Sequence, residues 1–250
     1  MTNQLDAKYY CTNSDLQKKI AIDLFQYHQF SNDEKILDVG SGDGYITKLM
    51  SQYGCITGID SSHSMINFAN EHNSNKMTTF VESTILNYDT KEKYSLITAF
   101  NSIYWCGDVD NIFKKIHSLL EKDGKFLIVT YPKESPYWVP IIDLLKKESW
   151  ASWLDKSIYK HWITSEQYAK IINDNSLSII KTDASIEEIP YYSSGEYIRY
   201  LKGWLPLMFN SNDFPIDDFI TELVFSIWGK ETEKQVNLSY KKLVLYGKST

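Results

Sequence analysis

Residues 36–44 read Ile36-Leu37-Asp38-Val39-Gly40-Ser41-Gly42-Asp43-Gly44, a strand that runs through three alternate glycines straight into a helix. Such a turn brings backbone very close to a ligand, with Gly40 and Gly42 at the positions a Cβ would obstruct. The spacing is not the G-x-G-x-x-G of dinucleotide binders, because the third glycine comes one residue early and Asp38 sits inside the strand. A pyrophosphate site wants uncompensated N–H groups at a helix N-terminus, whereas Asp38 and Asp43 add negative charge, so the ligand expected here carries cations. Asp60 closes the run Gly58-Ile59-Asp60-Ser61 at the carboxyl end of the next strand. A carboxylate there can accept both hydroxyls of a ribose.

Elements of the right kind surround these residues. Short β-branched runs over residues 35–39, 55–59, 78–82, 94–100 and 125–131 predict strands, and residues 45–53, 63–73 and 109–120 predict helices between them. That alternation is the signal for βαβ units on a parallel sheet. Beyond Tyr131 the rhythm changes, because Pro132, Pro136 and Pro140 interrupt an aromatic segment holding Tyr137, Trp138, Trp150 and Trp153. A helix is predicted over 164–173, capped by Thr164 or Ser165, with strands over 177–187 and 239–246. The stretch 189–236 is too long for a loop in a compact domain and has helical spacing at Tyr197, Leu201, Trp204 and Leu205 and again at Phe219, Leu223 and Ile227. It reads as a helical cap over the ligand-binding edge of the sheet.

Composition narrows the function. Lys and Arg total 26 against 32 Asp and Glu, a formal charge of -6, and Arg199 is the only arginine. A nucleic-acid footprint needs a clustered basic face, and bidentate capture of phosphates or carboxylates needs several arginines, so both are excluded. Cys11, Cys55 and Cys106 are far apart and lack C-x-x-C spacing, which argues against a disulfide framework or a metal site. The first ten residues lack a signal peptide's apolar core and no apolar run approaches a membrane span, so a reduced, cytoplasmic protein is expected. The Asn237-Leu238-Ser239 sequon is then accidental. The aromatic load, 18 Tyr, 7 Trp and 11 Phe, is heavy and falls largely outside the predicted sheet.

ILDVGSGDG followed by TGIDSSHSMINFA resembles motifs I and II of the class I S-adenosylmethionine-dependent methyltransferases. The pattern extends through TFVEST, SLITAFNSIYW and LLEKDGKFLIVTY and covers residues 15–131, with the C-terminal strands fitting more loosely. The opening YYCTNSDLQ, the aromatic IYW and the later HW resemble the trans-aconitate and juvenile-hormone-acid types, which esterify carboxylates. The resemblance implies a single α/β domain over 1–250: a Rossmann-like, mostly parallel seven-stranded sheet flanked by helices, with a helical cap insertion between the last two strands. The divisions expected are an N-terminal helical lid over 1–30, the cofactor-binding core over 31–188 and 237–250, and the cap over 189–236. It implies that Gly40, Ser41 and Gly42 face the methionine part of S-adenosyl-L-methionine and that Asp38 meets its ammonium through water or backbone. Asp60 would hold the ribose, while Ser61 and Met65 border the adenine. Thr84 stands where the family usually has an acid, leaving Thr84 and Ile85 to offer backbone and hydroxyl contacts, with Glu82 a poor substitute. Asn101 would line the methionine end, and Gln17 matches a glutamine that closes over the cofactor.

Methyl transfer is an in-line displacement at a carbon activated by positive sulfur, so the protein mainly aligns the nucleophile and excludes water. A carboxylate acceptor needs no general base. A phenol, amine or carbon acceptor usually does, and His161 or a Tyr is the candidate, although a histidine in an aromatic segment also suits a packed or surface place. Tyr9, Tyr10, Tyr104 and Trp105 could attract the sulfonium by cation–π contact. Trp105 could equally be ordinary core, Asp60 a helix cap, and Trp138, Trp150, Trp153, Trp204 and Trp228 either the cap's own core or the wall of an acceptor pocket. The expected activity is O-methylation of a small, partly apolar carboxylic acid, without nucleic-acid, membrane or obligate protein partner. Its rivals are base-assisted methylation of other acceptors and a non-catalytic cofactor-binding module.

Overall fold

Runs such as Ile36-Leu37 and Ile97-Thr98-Ala99 are buried on both faces, as strands inside a parallel sheet must be. The computed structural model describes residues 7–209 and 213–250; residues 1–6 of the expected lid and 210–212 of the expected cap lie outside them. Two helices, α1 (Ala7–Asn13) and α2 (Asp15–Asp23), precede β1 (Glu34–Val39), α3 (Tyr45–Met50), β2 (Gly54–Asp60), α4 (His63–His72), β3 (Thr78–Glu82) and β4 (Tyr94–Phe100). There follow α5 (Val109–Leu119), β5 (Leu120–Thr130), α6 (Val139–Leu145), α7 (Ala151–Leu154), α8 (Ser165–Asp174) and β6 (Leu177–Asp183). The chain ends with β7 (Ile186–Tyr191), α9 (Ser194–Lys202), α10 (Ile216–Trp228), β8 (Val236–Lys241) and β9 (Leu243–Ser249).

Seven strands form one sheet in the order β3-β2-β1-β4-β5-β9-β6. Neighbours are parallel except β9, which runs antiparallel to both β5 and β6. The strand order reverses at β1, which lies between β2 and β4, and the carboxyl ends there form the crevice where ligands of open α/β sheets bind. The sheet face that carries Leu37 and Ile97 packs on Ile112, Phe113 and Ile116 of α5. The face that carries Ile36 and Leu96 belongs to a cluster that continues without a break into Trp138, Leu201, Trp204, Phe219 and Trp228.

The two last strands read from the sequence each divide. Residues 177–187 break where the Ser185 N–H donates to Asp183 Oδ1 at 3.0 Å, and residues 239–246 break at Lys242. The outer halves, β7 and β8, pair with each other as a separate antiparallel ribbon, Ile189 opposite Leu238, with α9 and α10 between them. The insertion is therefore rooted on a ribbon as well as on helices.

Candidate active site

The three glycines between β1 and α3 have different reasons to be glycine. All are left-handed, and a Cβ on Gly40 would lie 2.2 Å from Ser102 Cβ, while one on Gly44 would meet Phe80 and Ala69 at 2.7 and 2.8 Å. Those two are fixed by packing. A Cβ on Gly42 would meet nothing closer than Tyr10 Cε1 at 3.9 Å, so only there is the backbone open to an incoming group. Four N–H groups of the turn are already used: Gly40 and Ser41 donate to the Ile59 carbonyl at 2.8 and 3.0 Å, Gly42 to Asp60 Oδ2 at 3.0 Å, and Gly44 to the Ser41 carbonyl at 3.0 Å. A turn with four of its donors spent offers a poor grip for a pyrophosphate.

The three acids separate as sharply. Asp60 accepts from Gly42 N–H with one oxygen and from Ser62 N–H with the other, at 3.0 and 2.9 Å, and its side chain lines the cavity described below. Burial raises its carboxyl, against which the Ser62 and Gly42 N–H groups pull down. Asp38 corrects the expectation for it. The side chain is buried beneath the turn, its oxygens accept the hydroxyls of Thr47 (2.6 Å) and Thr98 (2.8 Å), and it does not reach the cavity. Burial pushes it up to about 6, with both hydroxyls acting the other way. Asp43 is paired with Lys18 of α2 at 2.9 Å, which ties the N-terminal helices to the turn and neutralises the charge expected at the ligand. The Ser41 side chain is buried towards Gly58 and also stays off the cavity wall.

A cavity of about 450 Å³ opens at the carboxyl ends of β1, β2 and β4. Of the residues singled out by sequence, Gln17, Gly40, Gly42, Asp60, Ser61, Met65, Thr84, Ile85, Asn101, Tyr104 and Trp105 line it, with Tyr10. Glu82 turns outward to His63 Nδ1 at 2.6 Å. Two oxygens on the wall, Gln17 Oε1 and Asn101 Oδ1, are buried without a hydrogen-bond partner, and Asn101 is held at φ 58. Asp60 is the one charged side chain on the wall among the described residues.

The other end of the cavity is aromatic. The 3-10 turn Ile103–Trp105 sets Tyr104 against Trp105 (4.6 Å between ring centroids) and Tyr131 (5.6 Å), and Trp105 leans on Trp204 of the insertion at 6.1 Å. Burial raises Tyr104, Tyr131, Tyr137 and Tyr200. His161 is exposed and absent from the wall, a second correction: its neighbour Trp162 turns inward and donates its indole N–H to the Tyr104 carbonyl at 3.0 Å, leaving the histidine on the outer side. The aromatics of the insertions divide, since Trp138 and Trp204 line the cavity whereas Trp150 and Trp228 donate to Glu222 and to the Lys234 carbonyl. Tyr9 donates to the Arg199 carbonyl at 3.0 Å and stays off the wall. Sequence reasoning did not find Leu16, Ser102, Tyr131, Tyr200 and Tyr240, which line the cavity; Leu16 and Ser102 are chain neighbours of Gln17 and Asn101, while Tyr200 and Tyr240 join it through tertiary packing. Among the described residues no group of three metal-ligating side chains is assembled, and no helix is long and apolar enough to cross a membrane.

Comparison with known proteins agrees with this geometry. A family described as a methyltransferase domain matches residues 13–182. The juvenile hormone acid O-methyltransferase of Bombyx mori is 26% identical over 163 residues, 60% of this chain and 58% of the relative. The trans-aconitate 2-methyltransferase of Escherichia coli is 33% identical over 134 residues, 52% of this chain and 51% of the relative. The chain thus spans little more than half the length of these two relatives. The crystal structure of geranyl diphosphate C-methyltransferase from Streptomyces coelicolor, in complex with S-adenosyl-L-homocysteine, superposes with a TM-score of 0.58 at 15% identity, covering 98% of this chain and 84% of that one. With a reversed strand order, an antiparallel β9, a single open glycine and an acid at the end of β2, the chain belongs to the S-adenosylmethionine-dependent methyltransferases.

Proposed function

We propose that the protein transfers a methyl group to the carboxylate of a small, largely apolar acid. One observation carries the reading: among the described residues no Lys, Arg or His lines the cavity, and burial raises the tyrosines that do. The one carboxylate on the wall among the described residues, Asp60, has both oxygens engaged by the Gly42 and Ser62 N–H groups at the end of β2. No other group stands ready to take a proton, so the acceptor must arrive already nucleophilic, as a carboxylate does near neutral pH. The relative from Bombyx mori is itself an acid O-methyltransferase.

S-adenosylmethionine, when bound, supplies a methyl carbon activated by a positive sulfur. The residues present fit such a ligand. Gln17 Oε1 and Asn101 Oδ1, acceptors without donors, suit its ammonium, and a turn with four of its N–H groups spent makes little demand for an anion. Gly42 lets the methionine part lie against the backbone, Asp60 holds the ribose hydroxyls, and Ser61, Met65, Thr84 and Ile85 border the adenine. Tyr104 and Trp105 present aromatic faces to the sulfonium, each contact contributing about 0.5–2 kcal/mol. Asp38 serves the fold instead, clamping α3 and β4 to β1 through Thr47 and Thr98. The N-terminal helices and the insertion between β7 and β8 close the site and keep water from the reacting carbon. The pH profile tests this reading. With no catalytic base, kcat towards a carboxylic acid is flat between about pH 6 and 9; a limb that titrates near neutrality contradicts it.

A further inference from the structure

Among the buried indoles of the described residues there is one exception. Trp138, Trp150, Trp162 and Trp228 are buried, and each donates its N–H, to Pro132 O, Glu222 Oε2, Tyr104 O and Lys234 O at 2.8–3.1 Å. Trp204 is as deeply buried, at 7% exposure, and its N–H has no partner. Beside it, with ring centroids 5.8 Å apart, the Tyr137 hydroxyl is also unsatisfied; it approaches the Tyr197 hydroxyl without reaching bonding geometry. Both residues line the aromatic end of the cavity. Folded proteins pair nearly all buried N–H groups because an orphan gives up its hydration for nothing.

We propose that Trp204 and Tyr137 form a polar subsite that reads an uncharged oxygen on the body of the methyl acceptor. An indole N–H only donates, so its complement is an oxygen acceptor and not an N–H group or a cation. The oxygen is a carbonyl, ether or hydroxyl, because with no cation on the wall a second carboxylate would be buried uncompensated. The substrate is then a monocarboxylic acid with a neutral oxygen in its apolar chain, an inference that rests on the carboxylate reading above.

The test uses chain-length-matched pairs of acids, each an oxo acid beside the parent acid with CH₂ at that position, and the dicarboxylic acid of the same length. In the wild type one oxo position raises kcat/KM at least about tenfold over its parent, because a site built to bond an oxygen leaves its donors unpaired with the analogue that lacks it. The dicarboxylic acid falls below the parent. In Tyr137→Phe and in Trp204→Phe the ratio of oxo acid to parent drops towards one, and the ratio within each variant is independent of how much of it folds. Calorimetric titration of the same compounds and their methyl amides into protein loaded with S-adenosylhomocysteine separates the two readings. If no acid is esterified but one oxo compound binds at least about tenfold more tightly than its parent in a Trp204-dependent way, the carboxylate reading fails and the subsite stands. A ratio near one at every oxo position in both rate and binding, or a ratio that both variants retain, overturns the subsite.

Discussion

Replacing Gly40 and Gly42 one at a time by alanine separates a glycine that the fold requires from one that the ligand requires. Both are left-handed, at φ +73 and +55, and an alanine in that region costs about 1–2 kcal/mol in backbone strain. At Gly40 the added methyl would lie 2.2 Å from Ser102 Cβ and 2.9 Å from its Oγ. Ser102 cannot retreat without losing the bond its hydroxyl donates to the Val39 carbonyl at 2.6 Å. Overpacking then adds about 1–3 kcal/mol and the broken bond about 1 kcal/mol. The sum, about 3–6 kcal/mol, is a large part of the roughly 5–15 kcal/mol that keeps a domain folded. At about 2–4 °C per kcal/mol for a chain of this size, Gly40→Ala melts at least about 6 °C below the wild type or fails to accumulate folded. At Gly42 the nearest atom is 3.9 Å from the added methyl, so strain is the whole cost and the melting point falls by about 2–8 °C. That methyl stands in the cavity, between Gly42 and Tyr10, and weakens S-adenosylhomocysteine binding by at least about thirtyfold, roughly 2 kcal/mol. Thermal melts and calorimetric titration with S-adenosylhomocysteine read both effects. A Gly42→Ala protein that binds within about threefold of wild type, or a Gly40→Ala protein no less stable than it, refutes the division of roles.

Three further outcomes are expected. Asp60→Ala removes the charged side chain on the cavity wall and weakens S-adenosylhomocysteine by at least about tenfold, or 1.4 kcal/mol; unchanged affinity sinks the ribose assignment. Asp38 titrates at about 6 in the folded chain against an ordinary 3.8, so between those values the folded form holds the proton more tightly and stability falls as pH rises, by up to about 3 kcal/mol, then levels off. Asp38→Asn lacks that fall, and its urea midpoint gains on the wild type between about pH 4 and 7; parallel profiles contradict the buried carboxylate. His161→Ala leaves kcat within about twofold because the side chain is exposed outside the cavity, and a tenfold loss would restore the general-base reading.

Local sequence carried the crevice: β1, the glycine turn, β2 and Asp60 are contiguous, and their chemistry is set by near neighbours. What it could not carry was the direction of side chains whose partners lie far along the chain. Asp38 looked like a ligand group because it adds negative charge beside the glycine turn, yet its use is internal, and one of its partners, Thr98, is sixty residues away. The Asp43 charge was overestimated for the same reason, since Lys18 belongs to a helix that reaches the turn only through folding. The β7–β8 ribbon was hidden because residues 177–187 and 239–246 hold no Gly or Pro to mark a break, and the bend that Asp183 caps is a side-chain contact that spacing does not show. His161 and Trp162 could not be told apart by type, as only the Tyr104 carbonyl decides which of them turns inward.

Carboxylate methylation is tested most directly by incubating the protein with S-adenosylmethionine carrying a labelled methyl group and a panel of apolar carboxylic acids, phenols and amines, then treating the products with mild base. Label is expected in the carboxylic acids alone, released by base as methanol from a methyl ester. Label that resists base, or that appears in phenols or amines and not in the acids, contradicts a base-free transfer to a carboxylate.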